Sequence, residues 1–268
     1  MNKKIAIQFT VLTFCLAFAL NAVEYVIAQI FGETFILEEA GGFTFGSYAV
    51  FGIVAAILAT LTPAVASYVV LKKNGEVTGL KEWLKNVFYF KTSVSHYVFV
   101  AVWLVLYFVI HITISGLTEM MPLYMLLGMI PLALLAGGME EAGWSYILHP
   151  ALNKKFGYFT SSVMMGVISW AWHIPLFFIP GTSHYQVINI WMFLVSNIGL
   201  RLFYGAILKK SGRAGIFLTV LHHTMLNAFM MTFIFLPTNW TATIVALVVV
   251  LLVSSTSVLI HNKDVKAV

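Results

Sequence analysis

Two adjacent carboxylates, Glu140 and Glu141, lie inside an apolar stretch that runs from Leu123 to Leu148. A charged side chain at membrane depth costs several kcal/mol, so such residues usually serve a function. Successive residues of a helix point about 100° apart, so the two carboxylates must have different neighbours. Glu140 shares a helical face with Trp144, and Glu141 shares one with Ser145. We therefore take this pair as the centre of a candidate site.

Imidazole and amide groups on other apolar stretches are candidates to join the pair. His173 stands in the aromatic sequence Trp-Ala-Trp-His-Ile-Pro. His223 and Asn227 are four residues apart and share one face of a helix, whereas His222 points elsewhere. Together, such groups can bind a metal, hold a water or donate to an oxyanion. The candidates within apolar stretches are Glu24, Glu140, Glu141, His173, Arg201, His222, His223 and Asn227.

Several intramembrane chemistries lack the residues that they need. The only aspartate, Asp264, lies in the C-terminal tail, and a His-Glu-x-x-His zinc motif is absent. The single cysteine, Cys15, is far along the chain from every candidate histidine. Ser145 could pair with a histidine, but the flanking glycine usual in intramembrane serine proteases is missing. The remaining set suits water activation, with glutamate as the general base and histidine and asparagine stabilising an oxyanion.

The composition is that of a membrane protein. Of 268 residues, 60% are hydrophobic and 9% are charged, whereas soluble domains carry about 25% charged residues. The length fits one integral membrane domain over residues 1–268. The net charge of +5 does not indicate a nucleic-acid partner, because the basic residues lie singly or in pairs between apolar stretches.

We predict an all-α, polytopic fold of eight transmembrane helices, because eight apolar stretches each have about the 20 residues needed to cross a membrane. In a further segment, Gly79–Phe90, helical spacing places the apolar residues on one face and the charged residues on the other. This pattern predicts an interfacial amphipathic helix. The predicted spans are Ile5–Phe31, Tyr48–Leu71, Val94–Ile114, Met121–Leu148, Tyr158–Ile179, Val187–Leu208, Ala214–Leu236 and Ala242–Ile260.

The charges between the spans predict the orientation. With eight spans, every lysine and arginine outside them falls on one side of the membrane. That side, with both termini, is cytoplasmic by the positive-inside rule. The opposite loops carry only the acidic residues Glu33, Glu38, Glu39 and Glu119.

Three motifs in this order resemble the CPBP family of CAAX prenyl proteases and bacteriocin-processing enzymes, also called the Abi family. They are Glu-Glu-x-x-Trp, Trp-Ala-Trp-His-Ile-Pro and His-x-x-x-Asn, on separate predicted helices. The region that carries them, residues 123–231, corresponds to the family's catalytic core. The resemblance implies that Glu140 is the base that activates water and that Glu141 is the second acidic residue. It also implies that His173, His223 and Asn227 are site residues.

The resemblance leaves the cofactor open, because the family has been described both as metalloproteases and as metal-free glutamate proteases. If a divalent metal such as zinc binds, Glu140, His173, His223 and Asn227 are its expected ligands. The family usually has an arginine directly after the tryptophan, but this chain has Ser145. Our hypothesis is that Arg201 supplies the missing charge. We expect Trp144, Arg201 and His222 to support the catalytic residues.

The sequence thus predicts an intramembrane endopeptidase, glutamic or metal-dependent, whose site opens towards the cytoplasm. Its expected substrates are a prenylated protein of the CAAX type or a leader or bacteriocin peptide, in contact with membrane lipid. The expected location is the bacterial plasma membrane. One alternative is a non-catalytic immunity or scaffold protein, which would tolerate Glu140→Gln. The other is a small proton-coupled transporter, for which we would expect an internal repeat that the sequence does not show.

Overall fold

The computed structural model describes residues 2–31, 35–37, 43–45, 49–117, 119–234 and 239–267. Helices dominate this part of the chain. They are α1 (Lys3–Phe31), α2 (Ala49–Thr60), α3 (Thr62–Lys73), α4 (Leu80–Val87), α5 (Val94–Ser115), α6 (Met125–Leu135), α7 (Glu141–Gly143), α8 (His149–Phe156), α9 (Tyr158–His173), α10 (Ile190–Ser211), α11 (Gly215–Thr232) and α12 (Trp240–Ala267).

Short irregular helices join several of these elements. They are the 3₁₀ turns Gly138–Glu140, Ile174–Phe177 and Gly212–Ala214 and the π-helix Trp144–Leu148. Two antiparallel strand pairs, which the sequence did not predict, lie in connecting segments. They are β1 (Phe35–Leu37) with β2 (Phe43–Phe45), and β3 (Glu119–Met120) with β4 (Phe233–Ile234).

The protein is a helical, polytopic membrane protein, as predicted. Among the described residues, five helical stretches are long and apolar enough to cross a membrane, and a sixth is formed if α2 and α3, bent by 46°, are one span. One of these stretches, Ile190–Thr232, contains both α10 and α11. The eight-span count and the orientation stay predictions. The five stretches are Lys3–Ile30, Val94–Ser115, Met125–Phe156, Ile190–Thr232 and Trp240–Asn262.

One predicted span boundary differs from the structure. The span predicted to end at Leu148 is followed directly by α8, which continues to Phe156. Pro150 lies in the first turn of α8, directly after the π-helix. Outside the described residues lie Glu33, Glu38, Glu39 and the predicted span ends at Tyr48 and Leu236.

The predicted amphipathic helix is present as α4. Trp83 and Val87 are buried, and the indole of Trp83 donates to Ser67 Oγ on α3 at 3.0 Å. Leu80 and Leu84 remain exposed, so only half of the apolar face packs on the protein. Glu82 accepts hydrogen bonds from the hydroxyl and the backbone N–H of Thr78, both at 2.7 Å, which lowers the pKa of the Glu82 carboxyl.

Two hydrophobic clusters pack on either side of the candidate site. One joins α1, α3 and α4 to the irregular segment 138–148, with Phe9, Trp144 and Leu71 among its buried members. The other joins α5, α10, α11 and α12 around Phe203 and Leu218. The segment that carries the two glutamates therefore lies between the two halves of the protein.

Candidate active site

The two glutamates lie in a stretch of eleven residues that adopts three helix geometries in succession. A 3₁₀ turn ends at Glu140, one α-helical turn begins at Glu141, and a π-helix follows from Trp144 to Leu148. Single π turns inside helices are frequent at functional sites. Both carboxylates are buried, with 2% of Glu140 and none of Glu141 exposed. The irregular backbone thus sets two neighbouring charges inside the protein with different surroundings.

Glycines bring the backbone of this segment against α11. A Cβ at Gly137 would overlap the carboxamide of Asn227, and one at Gly138 would overlap the Thr224 hydroxyl. Behind the segment, a Cβ at Gly143 would collide with the carbonyl of Pro63 on α3. These contacts place His223 and Asn227 of α11 directly beside the glutamates.

Glu141 forms a buried ion pair in which both of its carboxylate oxygens have partners. Nη1 of Arg201 on α10 lies 2.8 Å from both carboxylate oxygens, and Ser145 Oγ donates to Oε2 at 2.5 Å. His223 Nδ1 lies 3.1 Å from Oε1. Arg201 is 1% exposed. A buried carboxylate needs such partners, because desolvation of an unpaired charge is costly. Glu141 therefore has little capacity left for a substrate.

The carboxylate of Glu140, in contrast, has no close partner among the described residues. Its Oε1 lies 3.9 Å from Nε2 of His173, which is longer than a hydrogen bond. Its buried Oε2 has no hydrogen-bond partner within the described part of the chain. A buried acceptor of this kind in a membrane-embedded site indicates that a further group binds there.

The hydrogen bonds of the two histidines fix which nitrogen faces the site. His173 Nδ1 lies 2.7 Å from the Ser169 carbonyl oxygen, so Nδ1 carries the proton and donates. His223 Nδ1 donates to Glu141 in the same way. The Nδ1 atoms are thus engaged, and Nε2 is the nitrogen of each ring that remains for other partners. A histidine whose other nitrogen donates to a carbonyl or carboxylate is the usual arrangement of a metal ligand.

The remaining predicted residues support the site from outside. His222 Nδ1 pairs with the Tyr204 hydroxyl at 3.1 Å and packs on Phe203. Trp144 packs edge-on against Phe9 and Trp172, with ring centroids 5.4 and 6.0 Å apart. Asn227 Nδ2 lies 3.5 Å from the Ala136 carbonyl oxygen, a weak contact that leaves the amide able to donate elsewhere.

Sequence reasoning missed two contributors. Ser169 accepts from Arg201 Nη2 at 2.9 Å, and its carbonyl orients His173, which lies one helical turn further on. His184 lies in the segment between α9 and α10, and its ring centroid is 5.6 Å from that of His173. The spacing of Ser169 and His173 was a usable signal. His184 gave none, because it lies outside the apolar stretches.

A divalent metal fits the donor atoms that converge here. Glu140, Glu141 and His223 each offer a ligand atom within 4.8 Å of the others. Of these three, Glu141 is already held by Arg201, which leaves Glu140, with its unpartnered Oε2, and His223. The predicted ligand His173 lies outside this cluster, with its Nε2 3.9 Å from Glu140 Oε1. Carboxylate and imidazole ligands of this kind suit zinc.

No family model matches the chain. The chain is similar to a protein named CAAX prenyl protease 2 from Methanococcus maripaludis, with 29% identity over 101 residues. This similarity agrees with the resemblance that the three motifs indicate. The similarity covers 36% of this chain and 37% of that relative, so the activity and substrates of the whole protein are matters for proposal.

Proposed function

We propose that the protein is an intramembrane endopeptidase in which Glu140 activates a water that hydrolyses a peptide bond. The observation that carries this proposal is the contrast between the two adjacent carboxylates, of which one is fully hydrogen-bonded and the other is not. Arg201 neutralises Glu141, while Glu140 keeps an unpartnered oxygen and faces an imidazole. The similarity to a protein named CAAX prenyl protease 2 supports a peptidase rather than a scaffold.

The separation of Glu140 and His173 suits a bridging water. Polar atoms more than about 3.5 Å apart often share a water, and here Glu140 Oε1 and His173 Nε2 are 3.9 Å apart. Both atoms are acceptors when His173 is neutral, so one water can donate one hydrogen to each. Such a water has its oxygen lone pairs directed away from both partners and towards a substrate carbonyl.

The proposed reaction balances with this chain's own groups. Glu140 takes a proton from the water as the water oxygen attacks the carbonyl carbon of the peptide bond. The oxyanion that forms accepts a hydrogen bond from Nδ2 of Asn227, which has only a weak contact of its own. Glu140 then gives the proton to the amide nitrogen as the carbon–nitrogen bond breaks, which yields a carboxylic acid and an amine.

Glu141 has a positioning role in this proposal. It fixes the ring of His223 through Nδ1, and Arg201 and Ser145 in turn fix Glu141. A zinc ion, if bound, would be held by Glu140, His173 and His223, with Asn227 as the fourth predicted ligand. It would supply a Lewis acid for the carbonyl oxygen.

The membrane arrangement that we propose is the eight-span topology with both termini in the cytoplasm, in the plasma membrane of a bacterium. It is supported by α9, which is apolar but only 16 residues long, continued by the 3₁₀ turn Ile174–Phe177, and by the division of Ile190–Thr232 into two helices. The proposed substrates are prenylated CAAX-type C-termini or leader and bacteriocin peptides.

A peptide-cleavage assay tests this function. Purified protein is incubated with a library of prenylated and unmodified peptides, and products are read by mass spectrometry, with and without a chelator. We expect cleavage by the wild type and by Glu82→Gln, a change on α4 that affects only the contact with Thr78, but none by Glu140→Gln. Cleavage by folded Glu140→Gln would refute the role of Glu140. No cleavage by the wild type would favour the non-catalytic alternative.

A further inference from the structure

A groove on the protein surface lies between α1 and α8. Its volume is about 790 Å³, which is within the roughly 300–1,000 Å³ typical of ligand sites. The walls are mostly apolar, and several of their side chains, including Ile7, Val11 and Phe156, are exposed. The wall residues are Ala6, Ile7, Thr10, Val11, Leu148, Ala151, Leu152 and Phe156.

Three lysines line one end of this groove. Lys3 comes from the first turn of α1, and Lys154 and Lys155 come from the last turn of α8. None of the three forms an ion pair with another described residue. Lys155 Nζ lies over the ring of Phe156, 4.7 Å from its centroid. Two segments about 150 residues apart in sequence thus combine an apolar channel with a cationic end.

The lining of the groove includes none of the candidate active-site residues. Phe9 on α1 and Trp144, which lies before α8, are fully buried and pack edge-on against each other, and the mostly buried Leu148 lines the groove. The groove and the candidate active site are therefore formed by different residues.

We propose that the groove binds an anionic phospholipid, with an acyl chain along the apolar walls and the phosphate against the three lysines. Lysines that lie near an anionic lipid surface attract it, and their aliphatic stems pack on apolar walls while the ammonium groups reach the headgroup. A zwitterionic lipid offers no net charge to this end. A prenyl chain is neutral and would leave the three lysines without a counter-charge.

The binding has a structural consequence for α8. This helix follows directly on the π-helix Trp144–Leu148, whose Ser145 holds Glu141. A lipid that bridges Lys3 on α1 and the two lysines on α8 stabilises the packing of α1 against this segment. The proposal goes beyond the proposed peptidase activity and does not depend on it.

Native mass spectrometry of the full-length protein in detergent tests the proposal. Phosphatidylglycerol and phosphatidylcholine with identical acyl chains are titrated separately. The variant is K3Q/K154Q/K155Q, and its matched control is K72Q/K73Q/K85Q, which removes the same charge from exposed lysines elsewhere. We expect the wild type and the control to retain phosphatidylglycerol in preference to phosphatidylcholine. Each groove lysine should contribute about fivefold, so the variant should bind on the order of a hundredfold more weakly.

A second variant separates the groove from general charge attraction. Ala151→Phe fills the apolar channel and leaves all lysines in place, so it should also reduce retention of phosphatidylglycerol. Equal retention of both lipids by the wild type would overturn the proposal, as would undiminished binding by the lysine variant. Displacement of the lipid by a prenylated peptide, but not by its unmodified form, would show that the occupant is a prenyl chain and would equally overturn it.

Discussion

Replacement of Arg201 by alanine should be among the most damaging single changes to this protein. Arg201 Nη1 contacts both oxygens of Glu141 at 2.8 Å, and the two side chains are no more than 1% exposed. Removing one partner of a buried ion pair costs about 3–5 kcal/mol, because the other charge stays buried and unpaired. That is a large part of the roughly 5–15 kcal/mol by which a typical domain is stable.

The assay is unfolding in detergent followed by peptide cleavage. Arg201→Ala should lower the free energy of unfolding by about 3–5 kcal/mol and reduce cleavage, since Glu141 no longer holds His223. A matched control is Arg213→Ala, which removes an exposed arginine that donates to Asn86. Surface changes of this kind usually alter stability by no more than about 0.5 kcal/mol.

A compensating variant makes the reasoning refutable. In Arg201→Met/Glu141→Gln both charges are gone, so most of the lost stability should return, although His223 would be less well oriented. Stability of Arg201→Ala equal to that of the wild type would show that the ion pair does not hold Glu141 in the membrane. Unchanged cleavage by Arg201→Ala would dismiss the idea that Arg201 supplies the charge missing at Ser145.

Three further changes test other contacts of the site. Gly137→Ala should cost about 1–3 kcal/mol in thermal unfolding and reduce cleavage, because its methyl group would overlap Asn227; a variant as stable and active as the wild type would contradict that close approach. Ser145→Ala removes a donor to Glu141 and should cost about 1.5–3 kcal/mol, while Ser145→Thr should retain most of the stability; equal losses in the two would point to packing instead. His184→Ala should lower kcat with little change in the unfolding temperature, because its ring packs on His173; an unaltered kcat would remove His184 from the site.

Much of the candidate site could be predicted from residue types and spacing. Glu140 and Glu141 were visible because charge is rare in an apolar stretch. His223 and Asn227 were visible because a four-residue spacing puts them on one helical face. Both signals are local. The resemblance to the CPBP family also drew attention to Arg201, since the family's arginine is missing at position 145 and Arg201 was the only arginine within an apolar stretch, but its contact with Glu141 was not predicted.

The rest depended on tertiary contacts that no local pattern encodes. The two carboxylates have different surroundings because of the succession of 3₁₀, α and π turns, which hydrophobic periodicity does not reveal. The span predicted to end at Leu148 is followed by α8 with no break in the helix. His184 approaches His173 from a connecting segment in which Gln186 adopts a positive φ of 57°, and neither feature follows from composition.

The origin of the Glu141 counter-charge affects the order in which the protein can assemble. An arginine at position 145 would enter the membrane with the same helix as Glu141. Arg201 is 60 residues later and lies on a different helix, so it is synthesised only after the glutamates have left the ribosome. Chains fold from the N-terminus during synthesis, which leaves Glu141 without its counter-charge until α10 inserts. A chain truncated before residue 201 should therefore retain its glutamate segment poorly in the bilayer, and completion of α10 becomes a checkpoint in biogenesis.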